Sequence, residues 1–147
     1  MAETDKAILL VEDNQQDEFL ILRNLRKGHL VNHVDVVRDG QQALDYLFAE
    51  GEFSHRKTAE LPVAVLLDIG LPRVSGLEVL ARLRADQRTR VLPIIMLTSS
   101  DEDRDRLESY ANGCNSFVRK PVDFNEFVQT ISNLGIYWCA INLPPSS

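Results

Sequence analysis

Segment 63–76 restricts the possible folds of this chain more than any other part of its sequence. Its first five residues, 63–67, are all apolar and lead directly into Asp68, and turn-forming residues such as Gly70 follow at once. A short, unbroken run rich in valine and leucine is typical of a strand buried on both faces, as in a parallel sheet. Because open α/β sheets bind ligands at the carboxyl ends of their strands, Asp68 is predicted to be a metal ligand, a nucleophile or a helix cap.

Similar apolar runs occur along the chain and alternate with segments of helical spacing. The predicted strands are 7–11, 34–37, 63–67, 94–97 and 116–118. Helix-starting residues follow several of them, at Asp39, Ser75 and Asp123. The alternation predicts an α/β fold with a five-stranded, parallel, doubly wound sheet, right-handed crossovers and helices on both faces. The expected strand order is flavodoxin-like, 2-1-3-4-5.

The predicted helices have apolar residues at intervals that place them on one face. These residues are Phe19, Leu20, Leu22 and Leu25 in the first helix, Leu77, Leu80, Ala81 and Leu83 in the third, and Phe124, Phe127, Val128, Ile131 and Leu134 in the last. The polar residues 50–61 predict a surface loop about twice the usual length of a connection.

The composition excludes several classes of function. A chain of 147 residues, 44% hydrophobic and 26% charged, is expected to form one soluble domain with a proper core. A net charge of −6 without a basic run argues against binding to nucleic acid. No segment resembles a signal peptide or a membrane span, so we expect a cytoplasmic protein that does not bind membranes. Cys114 and Cys139 lack metal-site spacing and are expected to be reduced thiols.

The end of the chain differs from the rest. Residues 1–135 form the predicted domain, without an internal repeat or a second domain, and residues 136–147 form an apolar extension that includes Tyr137 and Trp138. An apolar segment of this kind must pack on its own domain or on a partner. We therefore expect a two-fold symmetric homodimer that involves the last helix, Tyr137 and Trp138.

Polar residues from four strands are predicted to meet at the carboxyl edge of the sheet. Glu12 and Asp13 follow the first strand, Asp68 the third, Thr98 the fourth and Lys120 the fifth. Three carboxylates at one place repel each other unless a cation lies between them, and Mg²⁺ suits their hard oxygen atoms. With Lys120 the site would hold three positive and three negative charges, which leaves room for an incoming phosphoryl group.

Four motifs, each at a predicted strand end, carry a family resemblance. They are Leu10-Val11-Glu12-Asp13, Leu67-Asp68 with Pro72 and Gly76 downstream, Leu97-Thr98 and Lys120-Pro121. Each motif alone is common, but together and in this order they resemble the receiver domain of two-component response regulators. The resemblance covers residues 6 to about 134, and so nearly the whole chain.

The resemblance implies a phosphorylation site with a bound metal ion. Asp68 would accept a phosphoryl group from a phosphohistidine of a sensor histidine kinase. Glu12, Asp13 and the backbone carbonyl of Gly70 would bind Mg²⁺ together with Asp68. The protein would then be a phosphoacceptor that catalyses its own phosphorylation and slow dephosphorylation, and not an enzyme in the usual sense.

The resemblance also implies how the signal would leave the site. Thr98 and Lys120 would bind the phosphoryl oxygens and neutralise their charge. Phe117, three residues before Lys120, matches the aromatic switch position, although its ring has no hydroxyl group to donate a hydrogen bond. Movement of Thr98 and Phe117 on phosphorylation would reshape the face near the last helix.

A less specific resemblance concerns the kinase. The long loop before the third strand, the chain length and the ending with Tyr137, Trp138 and Leu143-Pro144-Pro145 resemble small response regulators paired with bacterial and cyanobacterial phytochromes. The cognate kinase would then be a red-light sensor.

Two other functions stay open at this point. One is a phosphatase with an aspartyl nucleophile, although such enzymes usually carry a second acid at the position where this chain has Gly70. The other is a degenerate receiver that acts as a binding module. Taken singly, Asp68 could be a turn residue, Thr98 a helix cap, Lys120 a surface lysine and Phe117 a core aromatic. The prediction depends on their combination.

Overall fold

Five strands form one parallel sheet in the computed structural model, which describes residues 7–27, 33–56, 61–98, 108, 110–111, 113–120, 123, 125–126 and 129–130. The strands are β1 (Ile8–Val11), β2 (Val34–Val37), β3 (Ala64–Asp68), β4 (Ile94–Thr98) and β5 (Ser116–Arg119). All four pairings are parallel, and the strand order is β2-β1-β3-β4-β5. The predicted flavodoxin-like α/β sheet is confirmed.

Helices connect the strands. They are α1 (Gln15–Lys27), α2 (Gly40–Phe48) and α3 (Gly76–Ala85), and a 3₁₀ turn, Gly51–Phe53, follows α2. Residues 108, 110–111, 125–126 and 129–130 are also helical and lie where the sequence predicts two further helices. The packing residues predicted for the last helix, Phe124, Phe127, Val128, Ile131 and Leu134, lie outside the described part of the chain.

Side-chain caps begin three helices where the sequence predicts them. The carboxylate of Asp39 accepts a hydrogen bond from the backbone N–H of Gln42 (2.8 Å), and the hydroxyl oxygen of Ser75 accepts one from Glu78 (3.2 Å). Asp123 accepts one in the same way from the N–H of Glu126 (2.9 Å). Each cap satisfies a backbone donor that has no partner within its own helix.

Two apolar layers lie on opposite faces of the sheet, because successive strand residues point to opposite sides. One layer combines Ile8, Leu10 and Leu66 with Ile21 and Leu25 of α1. The other combines Leu9, Val11 and Leu67 with Leu44 and Leu47 of α2 and Val79, Leu80 and Leu83 of α3. Helices therefore cover both faces of the sheet, as predicted.

The predicted packing faces of α1 and α3 are partly wrong. In α1, Phe19 is 64% exposed and Leu20 is 40% exposed, whereas Ile21 is buried. A helix turns by about 100° per residue, so Phe19 lies nearly opposite Ile21. In α3, Ala81 is exposed and Val79 is buried for the same reason. The sequence shows the apolar spacing, but the sheet decides which side of the helix is covered.

The predicted loop 50–61 is more ordered at its start than its polar sequence suggests. After the 3₁₀ turn, the ring of Phe53 meets the ring of Tyr46 edge-on, with 5.4 Å between centroids. The guanidinium group of Arg56 lies 3.7 Å above the Tyr46 ring. These contacts fix the first half of the connection against α2. Residues 57–60 and the apolar extension 136–147 lie outside the described residues.

Candidate functional site

The loop from β1 to α1 places two acids at the carboxyl edge of the sheet. The backbone N–H of Glu12 donates to the carbonyl oxygen of Val37 (3.0 Å), which continues the pairing of β1 with β2 by one residue. The side chain of Glu12 is fully buried, and one of its oxygens accepts a hydrogen bond from the N–H of Asn14 (3.2 Å). Asp13 is exposed. The site therefore has one acid inside the protein and one facing solvent.

Asp68 is the last residue of β3 and is 6% exposed. One of its carboxylate oxygens accepts a hydrogen bond from the N–H of Gly70 (3.2 Å). The start of α3 lies directly against this strand end, since a Cβ atom at Gly76 would come within 2.1 Å of the backbone carbonyl oxygen of Asp68. Only glycine fits at position 76, which keeps α3 close behind the acid.

The three predicted acids of the site lie together. Glu12, Asp13 and Asp68 each contribute one carboxylate oxygen to a group whose atoms are all within 4.8 Å of one another. Their separation along the chain is large, and the parallel pairing of β1 with β3 brings them to one edge. This arrangement concentrates negative charge in a space that a small cation could share.

The side chain of Lys120 enters the same group of acids. Its backbone N–H donates to the carbonyl oxygen of Thr98 (2.6 Å), just past the end of β5. Its Nζ atom donates to Glu12 (3.0 Å) and to Asp17 (2.8 Å), and it lies 3.4 Å from a carboxylate oxygen of Asp68. Because Lys120 is only 9% exposed, these ion pairs are weakly screened by water.

Asp17 is a site residue that the sequence reasoning missed. It lies in the first turn of α1, and its N–H donates to the side-chain oxygen of Asn14 (2.9 Å), which caps the helix. An acid in a first helical turn is common because it interacts favourably with the helix dipole. The available signal was that α1 starts directly after the acids of β1, so that its first turn borders the site.

Burial shifts the protonation equilibria of the site. Burial raises the pKa of Glu12 to about 7; the charge of Asp68 adds to this shift, and the hydrogen bond from Lys120 opposes it. Burial alone would lower the pKa of Lys120, but hydrogen bonds to Asp17 and Glu12 and the charge of Asp68 raise it above its usual value. At neutral pH Lys120 is therefore charged, and a proton is only loosely held on Glu12.

The other predicted site residues lie at or near the same edge. Thr98 ends β4 and is 3% exposed. Phe117 of β5 is half-buried against the core, and its ring centroid lies 6.4 Å from that of Tyr110. Gly70 is exposed beside Asp68, and its carbonyl as a metal ligand stays a prediction. Tyr137 and Trp138 lie outside the described residues, so the predicted dimer contact also stays a prediction.

A parallel, doubly wound sheet with acids and a lysine at its carboxyl edge defines a class of α/β proteins with a charged site at the strand ends, and comparison with known proteins specifies the family. The family profile described as "Response regulator receiver domain" matches residues 8–132. The chain belongs to the response regulator receiver domain family.

Individual relatives agree with this assignment. The chain is 37% identical over 144 residues to the Probable methanogenesis regulatory protein FilR2 of Methanothrix harundinacea (strain 6Ac), covering 98% of this chain and 90% of that protein. It is similar to the structure of the bacteriophytochrome response regulator RtBRR, with 50% identity, a TM-score of 0.84, and coverage of 95% of this chain and 84% of that one.

A further similar structure is that of the phosphorylated cyanobacterial phytochrome response regulator RcpA. It shares 32% identity with a TM-score of 0.76, and the match covers 95% of this chain and 98% of that one. The predicted resemblance to response regulators of phytochromes is thereby confirmed at the level of related proteins. Among the described residues, no helix is both long and apolar enough to cross a membrane.

Proposed function

We propose that this chain is a phosphoryl-accepting switch in which Asp68 receives a phosphoryl group from the phosphohistidine of a sensor histidine kinase. The observation that supports this most strongly is the meeting of Glu12, Asp13 and Asp68 with the ammonium group of Lys120 at one sheet edge. Membership of the receiver domain family supports the same function.

In the proposed step, a carboxylate oxygen of Asp68 attacks the phosphorus atom. The bond from phosphorus to the histidine nitrogen breaks, its electron pair returns to the imidazole, and an aspartyl phosphate forms. Lys120, whose Nζ atom lies 3.4 Å from Asp68, offsets the negative charge that arrives with the phosphoryl group. Thr98, at the end of the neighbouring strand, would provide a hydroxyl donor to a phosphoryl oxygen.

The donor set fits a magnesium ion. Three carboxylate oxygens within 4.8 Å of one another are the hard ligands that Mg²⁺ prefers. Glu12, Asp13 and Asp68 would hold the ion, with the carbonyl oxygen of Gly70 as a further ligand. When bound, Mg²⁺ supplies positive charge that lets the anionic acceptor and the phosphoryl group approach each other.

The decisive variant is Asp68→Asn, which keeps the shape of the side chain but removes the acceptor oxygen's charge. The matched control is Asp86→Asn, which neutralises an acid paired with Arg88 at the end of α3. With radiolabelled acetyl phosphate and Mg²⁺, we expect labelling of the control and none of Asp68→Asn, and loss of labelling when the metal is chelated. Labelling of Asp68→Asn to the level of the control would refute the proposed acceptor.

The same experiment separates the alternatives. A degenerate receiver would show no labelling of the native chain. A phosphatase would hydrolyse small phosphate esters over many turnovers, but position 70 offers no side chain to act as the general acid. The structure therefore favours the acceptor over the phosphatase.

We also propose that the cognate kinase is a bacterial or cyanobacterial phytochrome. The support is the similarity to RtBRR and RcpA, which are named as response regulators of phytochromes. Phosphotransfer from purified kinases, some light-sensing and some not, would test this. We expect the fastest transfer from a phytochrome kinase, and a faster transfer from an unrelated kinase would overturn the pairing.

The output is proposed to leave through the face near Phe117 and the last helix. Phe117 is half-buried beside the exposed ring of Tyr110, so a rotation of its ring would change that surface. The apolar extension with Tyr137 and Trp138 would join two copies of the chain in a homodimer. Analytical ultracentrifugation should show a dimer, and a monomer at every concentration, phosphorylated or not, would contradict it.

A further inference from the structure

We propose that Asp17 is a positioning residue that competes with the phosphoryl group for Lys120 and thereby shortens the lifetime of the phosphorylated state. The inference rests on the proposed function of Asp68. It starts from the observation that the shortest contact of the Lys120 Nζ atom is to Asp17 (2.8 Å), and not to the acceptor Asp68 (3.4 Å).

The ammonium group has a limited number of hydrogen bonds to give. A lysine carries three N–H donors, and Lys120 donates to Glu12 (3.0 Å) and Asp17 (2.8 Å). A phosphoryl group on Asp68 carries three oxygen atoms that need donors of this kind. The third donor lies toward Asp68, with Nζ 3.4 Å from its carboxylate oxygen. If the phosphoryl oxygens take more than this one donor, Lys120 must release Glu12 or Asp17.

Burial determines which contact Lys120 can release. The side chain of Glu12 is fully buried, so water cannot replace the ammonium group there. The side chain of Asp17 is 30% exposed, so water can replace the ammonium group. Asp17 is therefore the partner that gives up Lys120 when the phosphoryl group arrives.

Asp17 does not move away when it loses Lys120. Its backbone N–H is bonded to the side chain of Asn14, whose own N–H is bonded to Glu12. The backbone of Asp17 is thus held at the start of α1, which keeps its carboxylate close to the site. In the phosphorylated state the carboxylate continues to attract Lys120 and repels the phosphoryl oxygens.

The charge count shows the direction of the effect. With Asp17 the site contains four acids, one more than the sequence predicted, against the three positive charges of Lys120 and a divalent ion. Phosphorylation replaces the single charge of Asp68 by the two charges of an acyl phosphate. Asp17 therefore disfavours the phosphorylated state relative to the resting state.

Hydrolysis returns the site to its resting state. The oxygen atom of water bonds to phosphorus while the bond from phosphorus to the Asp68 oxygen breaks. The electron pair of that bond stays on the restored carboxylate, and both hydrogen atoms of the water leave with inorganic phosphate. Because the ground state of the acyl phosphate is destabilised by competition for Lys120, hydrolysis is faster with Asp17 than without it.

Asp17→Asn tests this inference, because it keeps the shape and removes the charge. Two readouts are used on the full-length chain: the affinity for beryllofluoride in the presence of Mg²⁺, and the decay of label after phosphorylation by acetyl phosphate. We expect about fivefold tighter beryllofluoride binding and about fivefold slower decay, the scale expected for a partly exposed ion pair. Asp17→Glu, which restores the charge, should return both values toward those of the native chain.

The matched control is Glu18→Gln. It removes the same charge one residue further along α1, where the carboxylate pairs with Arg38 (3.0 Å) and not with Lys120. We expect native values for this variant. Equal beryllofluoride affinities and equal decay rates of Asp17→Asn and Glu18→Gln would overturn the inference. Weaker beryllofluoride binding by Asp17→Asn would also overturn it, because a purely structural role of Asp17 predicts that result. If the folded native chain neither binds beryllofluoride nor is labelled by acetyl phosphate, the proposed function itself is refuted, and the inference with it.

Discussion

Two cationic side chains join elements at opposite edges of the sheet, and their partners differ. At the carboxyl edge, the ammonium group of Lys120 forms ion pairs with the carboxylates of Glu12, Asp17 and Asp68. At the amino edge, Arg84 of α3 donates to the backbone carbonyl oxygens of Gly113 (2.8 Å) and Thr89 (3.2 Å) and to the side-chain oxygen of Asn115 (2.9 Å). The first cation sits among charges, and the second among neutral oxygens.

This difference distinguishes a candidate functional site, at Lys120, from a structural contact between elements, at Arg84. The partners of Arg84 are neutral oxygen atoms, which present no negative charge for a further cation to balance. The partners of Lys120 carry more negative charge than one ammonium group can balance. Burial raises the pKa of Glu12, and the charge of Asp68 adds to this shift. A cluster that is incomplete without a further cation is suited to respond when charge is added to it.

The largest expected effect is at Lys120. Lys120→Met keeps the apolar stem of the side chain and removes its charge, so the arriving phosphoryl group loses a donor that neutralises it. We expect phosphoryl uptake from acetyl phosphate to fall by about a hundredfold. A rate within a few-fold of the native rate would show that Lys120 is as structural as Arg84.

The next largest effect is expected at Arg84, where a substitution should lower stability and leave phosphoryl uptake unchanged. Arg84→Met removes the donors that connect α3 to Gly113 and Asn115, and leaves the carbonyl oxygen of the buried Thr89 without this donor. The free energy of unfolding should fall by about 2 kcal/mol, measured by urea denaturation. Phosphoryl uptake by the folded protein should be unchanged, and a strong loss of uptake would remove the distinction between the two edges.

The pH dependence of metal binding should sharpen the comparison further. The pKa of Glu12 is raised above its ordinary value to about 7, so below that pH the carboxyl group holds a proton that Mg²⁺ must displace. The affinity should therefore fall as the pH falls, by about tenfold from pH 8 to pH 6, since one proton is exchanged.

Calorimetric titration with Mg²⁺ at several pH values checks this expectation. Glu12→Gln, which has no proton to lose, serves as the control and should bind Mg²⁺ weakly with little dependence on pH. If the native chain binds Mg²⁺ equally well at pH 6 and pH 8, Glu12 is not a metal ligand that must lose a proton.

The smallest expected effect is at Asn115. Its side-chain oxygen accepts hydrogen bonds from Arg84 and from the N–H of Ile94 (2.8 Å), at the first residue of β4. Asn115→Ala should lower the free energy of unfolding by about 1 kcal/mol and leave metal binding and phosphoryl uptake unchanged. A change in metal affinity would show that the amino edge is coupled to the site.

Local patterns were enough to predict the sheet and the acids of the site. Runs such as 64–67 are buried on both faces, so their sequence carries the signal whatever surrounds them. Parallel strands then bring Glu12, Asp13 and Asp68 to one edge by geometry alone. The side of a helix that is covered depends on its neighbours, which is why Phe19 and Ala81 were placed wrongly.

Contacts between distant residues were beyond the reach of sequence patterns. Asp17 resembles any acid in a first helical turn, and its contact with Lys120 spans the fold from α1 to β5. The bonds of Arg84 depend likewise on where residues 113–115 lie after folding. Both cases need the three-dimensional distance, and not the spacing along the chain.

The glycines around Asp68 differ in a way that matters for engineering. A methyl group at Gly40 or Gly76 would collide with backbone atoms, at 1.8 Å from Val74 and 2.1 Å from Asp68 respectively. At Gly70 the same group would meet nothing within 4 Å, and its backbone angle lies outside the left-handed region. Position 70, next to the acceptor, therefore has space for a larger side chain. A substitution there can change the surroundings of Asp68 without disturbing the backbone.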